Sequence, residues 1–341
     1  MTVGLRYYDI EVDLEGSANS SFSTGFIPAG ADHNDRQRYG TNLSNKYNGP
    51  GGNSGNPALD AMDHPDTAST DGVIGKVTYS WNPSDDVMYY VTWSEGFRPG
   101  LLNRPGGDSN DTYTVPFITE SDEVTNYEFG WKTILSDGRL RLNGSLFMVD
   151  IAGLQTSILD PSITNLFFSD NAADAEITGM EGDFVYYPDA EGWMVSGAFS
   201  LLDTEITKTL TSSGDVVKGK ELAFAPGMQG NVAVRKEWDM SSGNMGHFQT
   251  QFIFSDDSFS DIIEPNKAQQ DSYSYVNVRA GVSNDMWLAE IYIDNLTDER
   301  GEISNNYVFD RMRVTYIRPV SYTHLRAHET GRNLVCRLLL E

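Results

Sequence analysis

The sequence has little of what many binding and catalytic classes require. Its one cysteine, Cys336, excludes intramolecular disulfides and cysteine-cluster metal sites. Its 24 lysine and arginine residues face 49 aspartate and glutamate residues. The resulting net charge of −25 disfavours nucleic acid as a partner, because phosphate contacts need a basic face. No apolar run approaches the roughly 20 residues of a spanning helix, which excludes a helical membrane protein.

Catalytic and metal-binding motifs are also missing. There is no EF-hand pattern, HExxH motif, phosphate loop or nucleophile motif, so we predict neither an enzyme nor a resident cofactor or metal. His33 and His64 have acidic neighbours that could help to hold a metal, but solvated loop histidines are commoner. The first residues are predicted as a strand and not as a signal peptide.

Alternation of apolar and polar residues is the dominant pattern that is present. In residues 89–94, for example, tyrosine, valine and tryptophan alternate with tyrosine, threonine and serine. Alternating strands average to a polar composition, so the mean hydropathy of −0.40 is compatible with a β-barrel. The pattern predicts eleven strands, at 2–15, 72–82, 87–97, 124–135, 139–154, 175–187, 192–206, 224–238, 246–257, 272–283 and 286–297.

Short and long connections alternate between these strands. The short ones, such as "SDG" at 136–138, have tight-turn composition, whereas the long ones include 16–71, 98–123 and 155–174. Tight turns at one end and long loops at the other are typical of an outer-membrane barrel. Aromatic residues near the short turns would form a girdle at the membrane interface; we assign this role to Trp81, Tyr89, Trp193 and Trp287. A soluble β-sandwich with these rings in its core is the alternative.

Four segments carry a family resemblance. They are "SEGFRPGLLN" (94–103), "TNYEFGWKTILSDGRLRLNGSLFMVDIAGLQT" (125–156), "NAADAEITGMEGDF" (171–184) and "YVNVRAGVSNDMWLAEIYIDNLTDER" (275–300). In this order they resemble the barrel of TonB-dependent outer-membrane receptors. The resemblance implies an all-β fold, an antiparallel up-and-down transmembrane barrel. It further implies that residues 1–319 supply about eleven of its 22 strands, as the C-terminal half.

The resemblance also implies partners and a location. These are the outer-membrane lipid of a Gram-negative bacterium, an N-terminal plug domain and TonB, neither of which is recognisable in this chain. Arg318 and Pro319 match the start of the family's final strand. A half-barrel would have two unpaired edges, which lipid does not tolerate, so we expect that this chain does not fold stably alone.

Site residues follow from this layout. Ligand contacts are predicted at Arg98, Asn103 and Arg104, where a strand opens into a long loop, and at Asn171; an arginine pair could grip a carboxylate or phosphate. Arg98 could instead pin the base of the loop to an acidic neighbour, the reading that we favour. Four further residues are predicted to face the lumen: Glu128, Lys132, Arg139 and Arg141.

The last segment, residues 320–341, differs from the rest. "VSYTHLRAHET" and "LVCRLLL" resemble the conceptual translation of a transposase sequencing adapter. We therefore predict a non-native tail from Val320; a basic helical tail is the alternative.

The predicted function is TonB-energised uptake of a scarce small-molecule ligand. The ligand classes that fit are a metal chelate such as siderophore-bound iron, cobalamin, and a glycan such as an oligosaccharide. A plugless passive pore and an extracellular β-rich adhesin are the alternatives.

Overall fold

The computed structural model describes residues 1–13, 17–20, 39–42, 67–103, 116–159, 167–211, 215–241, 243–308, 311–319 and 324–329. Twelve of the strands in these ranges form one antiparallel sheet, in which each strand pairs with the sheet strands before and after it. They are β1 (Thr2–Asp13), β2 (Thr67–Ser84), β3 (Val87–Arg98), β4 (Asp122–Leu135), β5 (Leu140–Leu159), β6 (Phe167–Tyr186), β7 (Trp193–Thr209), β8 (Met228–Asp239), β9 (Met245–Ser255), β10 (Tyr273–Ser283), β11 (Trp287–Ile293) and β12 (His324–Glu329).

Smaller elements lie in the long connections. Four two-stranded ribbons and a short 3-10 helix, Glu264–Asn266, are present. The ribbons pair Ser17–Ser20 with Tyr39–Asn42, Leu101–Leu102 with Ile118–Thr119, Ser258–Phe259 with Gln269–Gln270, and Glu302–Val308 with Arg311–Tyr316. None of the helical residues in the described ranges belongs to a helix of the length and apolarity that crossing a membrane requires.

The register of the ladders gives the sheet one apolar and one polar face. Tyr79 lies opposite Val91, Val91 opposite Phe129, and Phe129 opposite Leu146, so four strands present apolar side chains in one row. All four of these side chains are exposed, between 42% and 55%. The neighbouring row, on the other face, places Thr78 and Thr92 beside Glu128. An apolar face that remains exposed suits contact with lipid.

Aromatic rings on the two faces lie over glycines of the adjacent strands. A Cβ atom added to Gly130 would stand 2.2 Å from Cζ of Tyr90, and one added to Gly144 would stand 2.4 Å from Cζ2 of Trp131. The ring of Tyr90 is therefore held flat on β4, where its hydroxyl donates a hydrogen bond of 2.5 Å to Oε1 of Glu128. Such ring-over-glycine pairs fix the strand register.

The main apolar cluster, which we call the loop-side cluster, lies at the long-loop end of the sheet. It joins the extended ends of β5, β6 and β7 to the connections that follow β7 and β9. Its buried members are Ile158, Phe168, Ala172, Ala173, Ile206, Val216, Ile262 and Ile263. Because β5 and β6 have 20 residues each, against the roughly 9–11 that a tilted spanning strand needs, they reach well into this cluster.

All eleven predicted strands are present in the predicted order, and the short connections lie at one end of the sheet. The sequence-based boundaries were wrong mainly at the long-loop end. β5 and β6 are longer than predicted and occupy most of the predicted loop 155–174, because Ile158 and Phe168 pack in the loop-side cluster. β8 begins at Met228 instead of 224, because Phe224 has a positive φ of 55° and Pro226 lacks a backbone donor.

The connection after β11 also differs from the prediction. The sequence indicated a loop from residue 298 on, whereas the structure has the ribbon of Glu302–Val308 and Arg311–Tyr316. β11 ends at Ile293, ahead of the buried Asn295, whose φ is 53°. The Asn295 amide donates to the carbonyls of Glu299 and Arg318, which ties this connection together.

The sheet is open within the described ranges, with β1 and β12 as its two edge strands. β12 lies inside the segment that resembles an adapter translation, and it pairs with β11 from Tyr292↔His324 to Trp287↔Glu329. The structure thus places a strand where the sequence offered a helical tail as the alternative. That residues 320–341 are non-native stays a prediction.

Candidate functional site

Arg98 and Asp122 close the ladder between β3 and β4 at its loop end. Asp122 is 1% exposed, and its Oδ1 accepts the backbone N–H of Arg98 at 2.9 Å. Its Oδ2 accepts Nε of Arg98 at 2.6 Å, and a terminal guanidinium nitrogen contacts the same carboxylate. That guanidinium also donates to the backbone carbonyl of Gln155 at 3.1 Å. One ion pair therefore fixes the point at which three chain segments meet.

Gln155 completes this junction from β5. Its side-chain nitrogen donates to the carbonyls of Pro99, at 3.0 Å, and Glu120, at 2.8 Å. These two residues lie at the start and the end of the loop between β3 and β4, so a single side chain clamps both ends of that loop. Gln155 is 9% exposed, as expected for an amide whose donors are used internally.

Asn103 holds the same loop from the other side. Its Nδ2 donates to the carbonyl of Ser169 at 2.7 Å and to that of Pro116 at 2.9 Å, and lies 3.2 Å from Oγ1 of Thr119. Its Oδ1 accepts the backbone N–H of Ser169 at 2.8 Å. Asn103 thus behaves like a short piece of strand that pairs with β6.

Asn171 makes a third connection of this kind. Its Oδ1 accepts the N–H of Glu120 at 2.8 Å, and its Nδ2 donates to the carbonyls of Glu120, at 3.0 Å, and Gly153, at 2.6 Å. We call Arg98, Asn103, Asp122, Gln155 and Asn171 the rim network. It is built from backbone-mimicking side chains at the end of the sheet where the long loops begin.

The structure brings three of the four predicted ligand residues together in the rim network. Arg104 lies outside the described residues. The contacts of Arg98 match the alternative in which it pins the base of the loop to an acidic residue. The side-chain amides of Asn103 and Asn171 form hydrogen bonds with backbone groups. These contacts give all three a structural role, and ligand contact by them stays a prediction.

Three of the residues predicted for the lumen, Glu128, Lys132 and Arg141, share the polar face of the sheet, whereas Arg139 lies in the turn before β5. Lys132 lies opposite Asn143 in the β4–β5 ladder. Arg141 is two residues from Asn143, and Glu128 is four residues from Lys132, so all of these side chains lie on the same face of the sheet. Arg141 contacts Asp183 at 3.3 Å, and Arg139 forms an ion pair with Asp189. Whether this face lines a lumen stays a prediction.

A second charged group on the polar face escaped the sequence analysis. Nε2 of His247 lies 2.9 Å from Glu290, whose other oxygen is 3.9 Å from Arg279. His247 is 4% exposed, because its ring packs over Gly281 of the next strand. The polar strand positions of these residues were visible in the sequence, but their proximity depends on the register of β9, β10 and β11.

The four predicted interface aromatics share the apolar face, near the short turns. Trp81 lies opposite Tyr89, with ring centroids 5.8 Å apart. Trp193 lies opposite Lys236, whose ammonium is 5.5 Å from its ring, and Trp287 begins β11. The position fits an interfacial girdle, which stays a prediction.

Among the described residues, no three or more His, Cys, Asp or Glu side chains are grouped as a metal site would need.

Asp261 directly precedes Ile262 and Ile263 of the loop-side cluster, and its carboxyl group is perturbed. Burial raises the pKa of the Asp261 carboxyl above its ordinary value of 3.8. The hydrogen bond from the backbone N–H of Ile263 to its Oδ1, at 3.0 Å, opposes that shift. Partial burial among the loops thus disfavours the charged form of this carboxyl group.

Comparison with known proteins identifies the family. The model of the family "TonB dependent receptor-like, beta-barrel" matches residues 2–296. The chain belongs to this family. The match covers all eleven strands that precede β12, so the rim network and both faces of the sheet lie within the part of the chain that matches the family.

Solved TonB-dependent receptors share the fold of this chain. The siderophore receptor PiuA from Acinetobacter baumannii is 19% identical, with a TM-score of 0.57 over 74% of this chain and 35% of its own. The ferric-catecholate import receptor Fiu from E. coli K12 is 14% identical, with a TM-score of 0.60 over 93% of this chain and 40% of its own. The ferripyoverdine receptor of the outer membrane of Pseudomonas aeruginosa is 18% identical, with a TM-score of 0.52 over 75% of this chain and 33% of its own. The chain therefore spans between a third and two fifths of these receptors.

Proposed function

We propose that this chain forms the C-terminal half of the barrel of an outer-membrane receptor that imports a scarce ligand with energy supplied through TonB. The observation that carries the proposal is the family match over residues 2–296. Eleven successive strands in one up-and-down sheet support the position within the barrel. The solved receptors with the same fold include siderophore receptors, which favours a metal chelate over cobalamin or an oligosaccharide as the ligand class.

The two faces of the sheet have complementary roles in this proposal. The apolar face meets the lipid of a Gram-negative outer membrane. The polar face, with Glu128, Lys132 and the Arg141–Asp183 pair, lines the lumen and meets an N-terminal plug domain. Arg141 and Asp183 pair across neighbouring strands, and Glu128 accepts a hydrogen bond from Tyr90, so these charged side chains have defined positions on the face that the plug would meet.

The rim network gives the loops a rigid base. Ligand contact then falls to the long loops, while Arg98, Asn103 and Asn171 hold the loop ends in place. The proposed activity is therefore transport, in line with the receptor family to which the chain belongs.

The test is energised uptake by the protein that the complete source gene encodes. It is expressed in a Gram-negative host that lacks its own siderophore receptors, and uptake of radioactive iron is measured with a panel of siderophores, in the presence and absence of TonB. The proposal expects saturable uptake of at least one chelate that disappears without TonB. Uptake that persists without TonB would indicate a passive pore. Extraction of the protein by buffer without detergent would support the adhesin.

A further inference from the structure

A small polar cavity lies at the loop end of the polar face, away from the rim network. It occupies about 150 Å³ between the ends of β8, β9 and β10 and the ribbon that begins at Glu302. At about 30 Å³ per water molecule this corresponds to about five waters. Gln229, Ser255 and Tyr273, which line it, are register partners on the polar face. The cavity therefore opens where a ligand would reach the receptor.

One buried amide on the wall of this cavity leaves an atom without a partner among the described residues, and a second, outside the wall, does the same. Gln270 lines the cavity, is 2% exposed, and accepts a hydrogen bond from Ser258 at 3.0 Å, whereas its Nε2 has no acceptor. Turning the amide over would leave its oxygen unpartnered instead, because Ser258 can bond either atom. Asn305, which does not line the cavity, donates to Glu302 of the wall at 2.8 Å, while its own Oδ1 has no donor within the described part of the chain. Buried polar groups without partners are rare in proteins.

The unpartnered Nε2 of Gln270 defines a chemical requirement, which is an acceptor at the cavity wall. A hydroxyl group can accept this hydrogen bond and donate its own proton to a carboxylate of the wall such as Glu302, since it has one proton and two lone pairs. A group with several hydroxyls could therefore satisfy Gln270 and the acidic wall at once.

Aromatic residues supply the apolar part of the same cavity. Phe224 lines the cavity and has a φ of 55°, a strained conformation for a bulky residue, although the residue is 47% exposed. A hydrogen bond from its backbone N–H to the carbonyl of Phe259, at 2.7 Å, holds it there. Across the cavity, the ring of Tyr273 packs against Gly301, where an added Cβ would lie 2.4 Å from the ring. Strain of this kind is concentrated at binding sites.

The charge of the cavity selects among hydroxylated ligands. Asp256, Asp271 and Glu302 line it, and its described wall contains no lysine, arginine or histidine. A carboxylate or phosphate would meet three like charges at short range, which disfavours anionic groups. Carboxylates accept hydrogen bonds from hydroxyls, so a neutral polyhydroxylated group suits the wall.

We infer that this cavity is a binding subsite for a neutral, polyhydroxylated group of sugar type, which the aromatic rings face and to which the Gln270 amide and the carboxylates form hydrogen bonds. This inference rests on the proposed receptor function and narrows its ligand: part of the cargo carries a neutral hydroxylated moiety. Gln270 is the central residue, because it is the buried side chain on the cavity wall that the rest of the described structure leaves half satisfied.

The test measures binding directly. The protein encoded by the complete gene is purified in a detergent without a sugar headgroup, and methyl α-glucoside is titrated by saturation-transfer NMR, with glucuronate as the charged counterpart. Gln270→Leu and Gln270→Glu remove the donor; the second keeps the acceptor for Ser258. Gln269→Leu, on the same ribbon strand but with an exposed side chain, is the matched control. Heat-dependent gel mobility reports folding of each variant.

We expect saturable binding of the glucoside, a loss of about tenfold in affinity in both Gln270 variants, as for one hydrogen bond to a buried group, and parent-like binding in the control. Glucuronate should bind more weakly than the glucoside. The inference is overturned if the folded parent protein does not bind the glucoside, which would make the cavity a water site. It is equally overturned if folded Gln270 variants bind as the parent does, or if glucuronate binds as tightly. Since transport is not the readout, TonB-dependent uptake can succeed or fail independently.

Discussion

The guanidinium of Arg98 and the carboxylate of Asp122 face each other across the last rung of the β3–β4 ladder, with Nε 2.6 Å from Oδ2. The pair is asymmetric, because Asp122 is 1% exposed while the Arg98 side chain is 55% exposed. The acid is therefore the dehydrated partner, and the arginine serves to compensate its charge.

That asymmetry predicts the effect of breaking the pair. Arg98→Met leaves a buried carboxylate without its cation and should lower the free energy of unfolding by about 2–3 kcal/mol, less than for a fully buried pair. Urea unfolding of the full-length receptor in detergent measures the loss. Adding Asp122→Asn to Arg98→Met should recover part of it, because the buried charge disappears. A double variant that is as unstable as the sum of the single variants would contradict the pairing.

The Asn103 side chain replaces backbone pairing between the β3–β4 loop and β6. Asn103→Ala should cost about 2–3 kcal/mol, because the buried N–H of Ser169 loses its acceptor and nearby carbonyls lose their donor. Faster hydrogen exchange at the amide of Ser169 should accompany the loss. Asn306→Ala, at an exposed asparagine, is the control and should change stability by less than about 0.5 kcal/mol. Unchanged exchange at Ser169 would rule out this role for Asn103.

The contact between Tyr90 and Gly130 predicts a steric effect. Gly130→Ala places a methyl group against the Tyr90 ring and should cost about 1–3 kcal/mol, because the ring must leave its position and its bond to Glu128. Gly96→Ala, on the adjacent strand, is the matched control, since its nearest neighbour would lie 4.0 Å away. Comparison of the two urea midpoints checks this. Equal midpoints would mean that the ring does not lie on β4.

The raised pKa of Asp261 predicts that this residue makes a pH-dependent contribution to the stability of the folded loop. The folded loop holds the proton more tightly than the unfolded chain, so the contribution is fully present below the ordinary pKa of 3.8 and is lost as the pH rises through the raised value. Asp261→Asn keeps the acceptor for the N–H of Ile263 but cannot ionise. At pH 7 it should therefore increase hydrogen-exchange protection of Ile263, and the gain should vanish at low pH. Asp239→Asn, at an exposed acid, controls for net charge. Lower protection in Asp261→Asn at pH 7 would contradict the prediction.

Much of the sheet could be predicted because alternation is a local property. Residues 124–135 alternate so regularly that β4 was placed to within two residues, and the turn at Ser136–Gly138, with three positive φ angles, follows the composition of "SDG". The longer reach of β5 and β6 was not predictable in this way. Ile158 and Phe168 extend those strands by packing against Ile262 and Ile263, which lie about a hundred residues away in the sequence.

The candidate site likewise has features that the local sequence predicts and features that depend on tertiary packing. The sequence pointed to Arg98, Asn103 and Asn171, and these residues do lie together, but their partners Asp122, Gln155 and Ser169 come from three different strands or strand ends. Nothing in the local pattern of Gln270 or Asn305 distinguishes them from other polar residues. Only their burial without a partner does so, and burial is a property of the packed chain.

The sequence by itself determined the strand order, the division into an apolar and a polar face, and the family, because each follows from residue types at fixed spacing along the chain. The tertiary structure alone decided which polar side chains become backbone substitutes in the rim network, which charges pair across the polar face, and where a small cavity remains. These features depend on the register between strands and on loops that meet over the end of the sheet, and neither is encoded within one local segment.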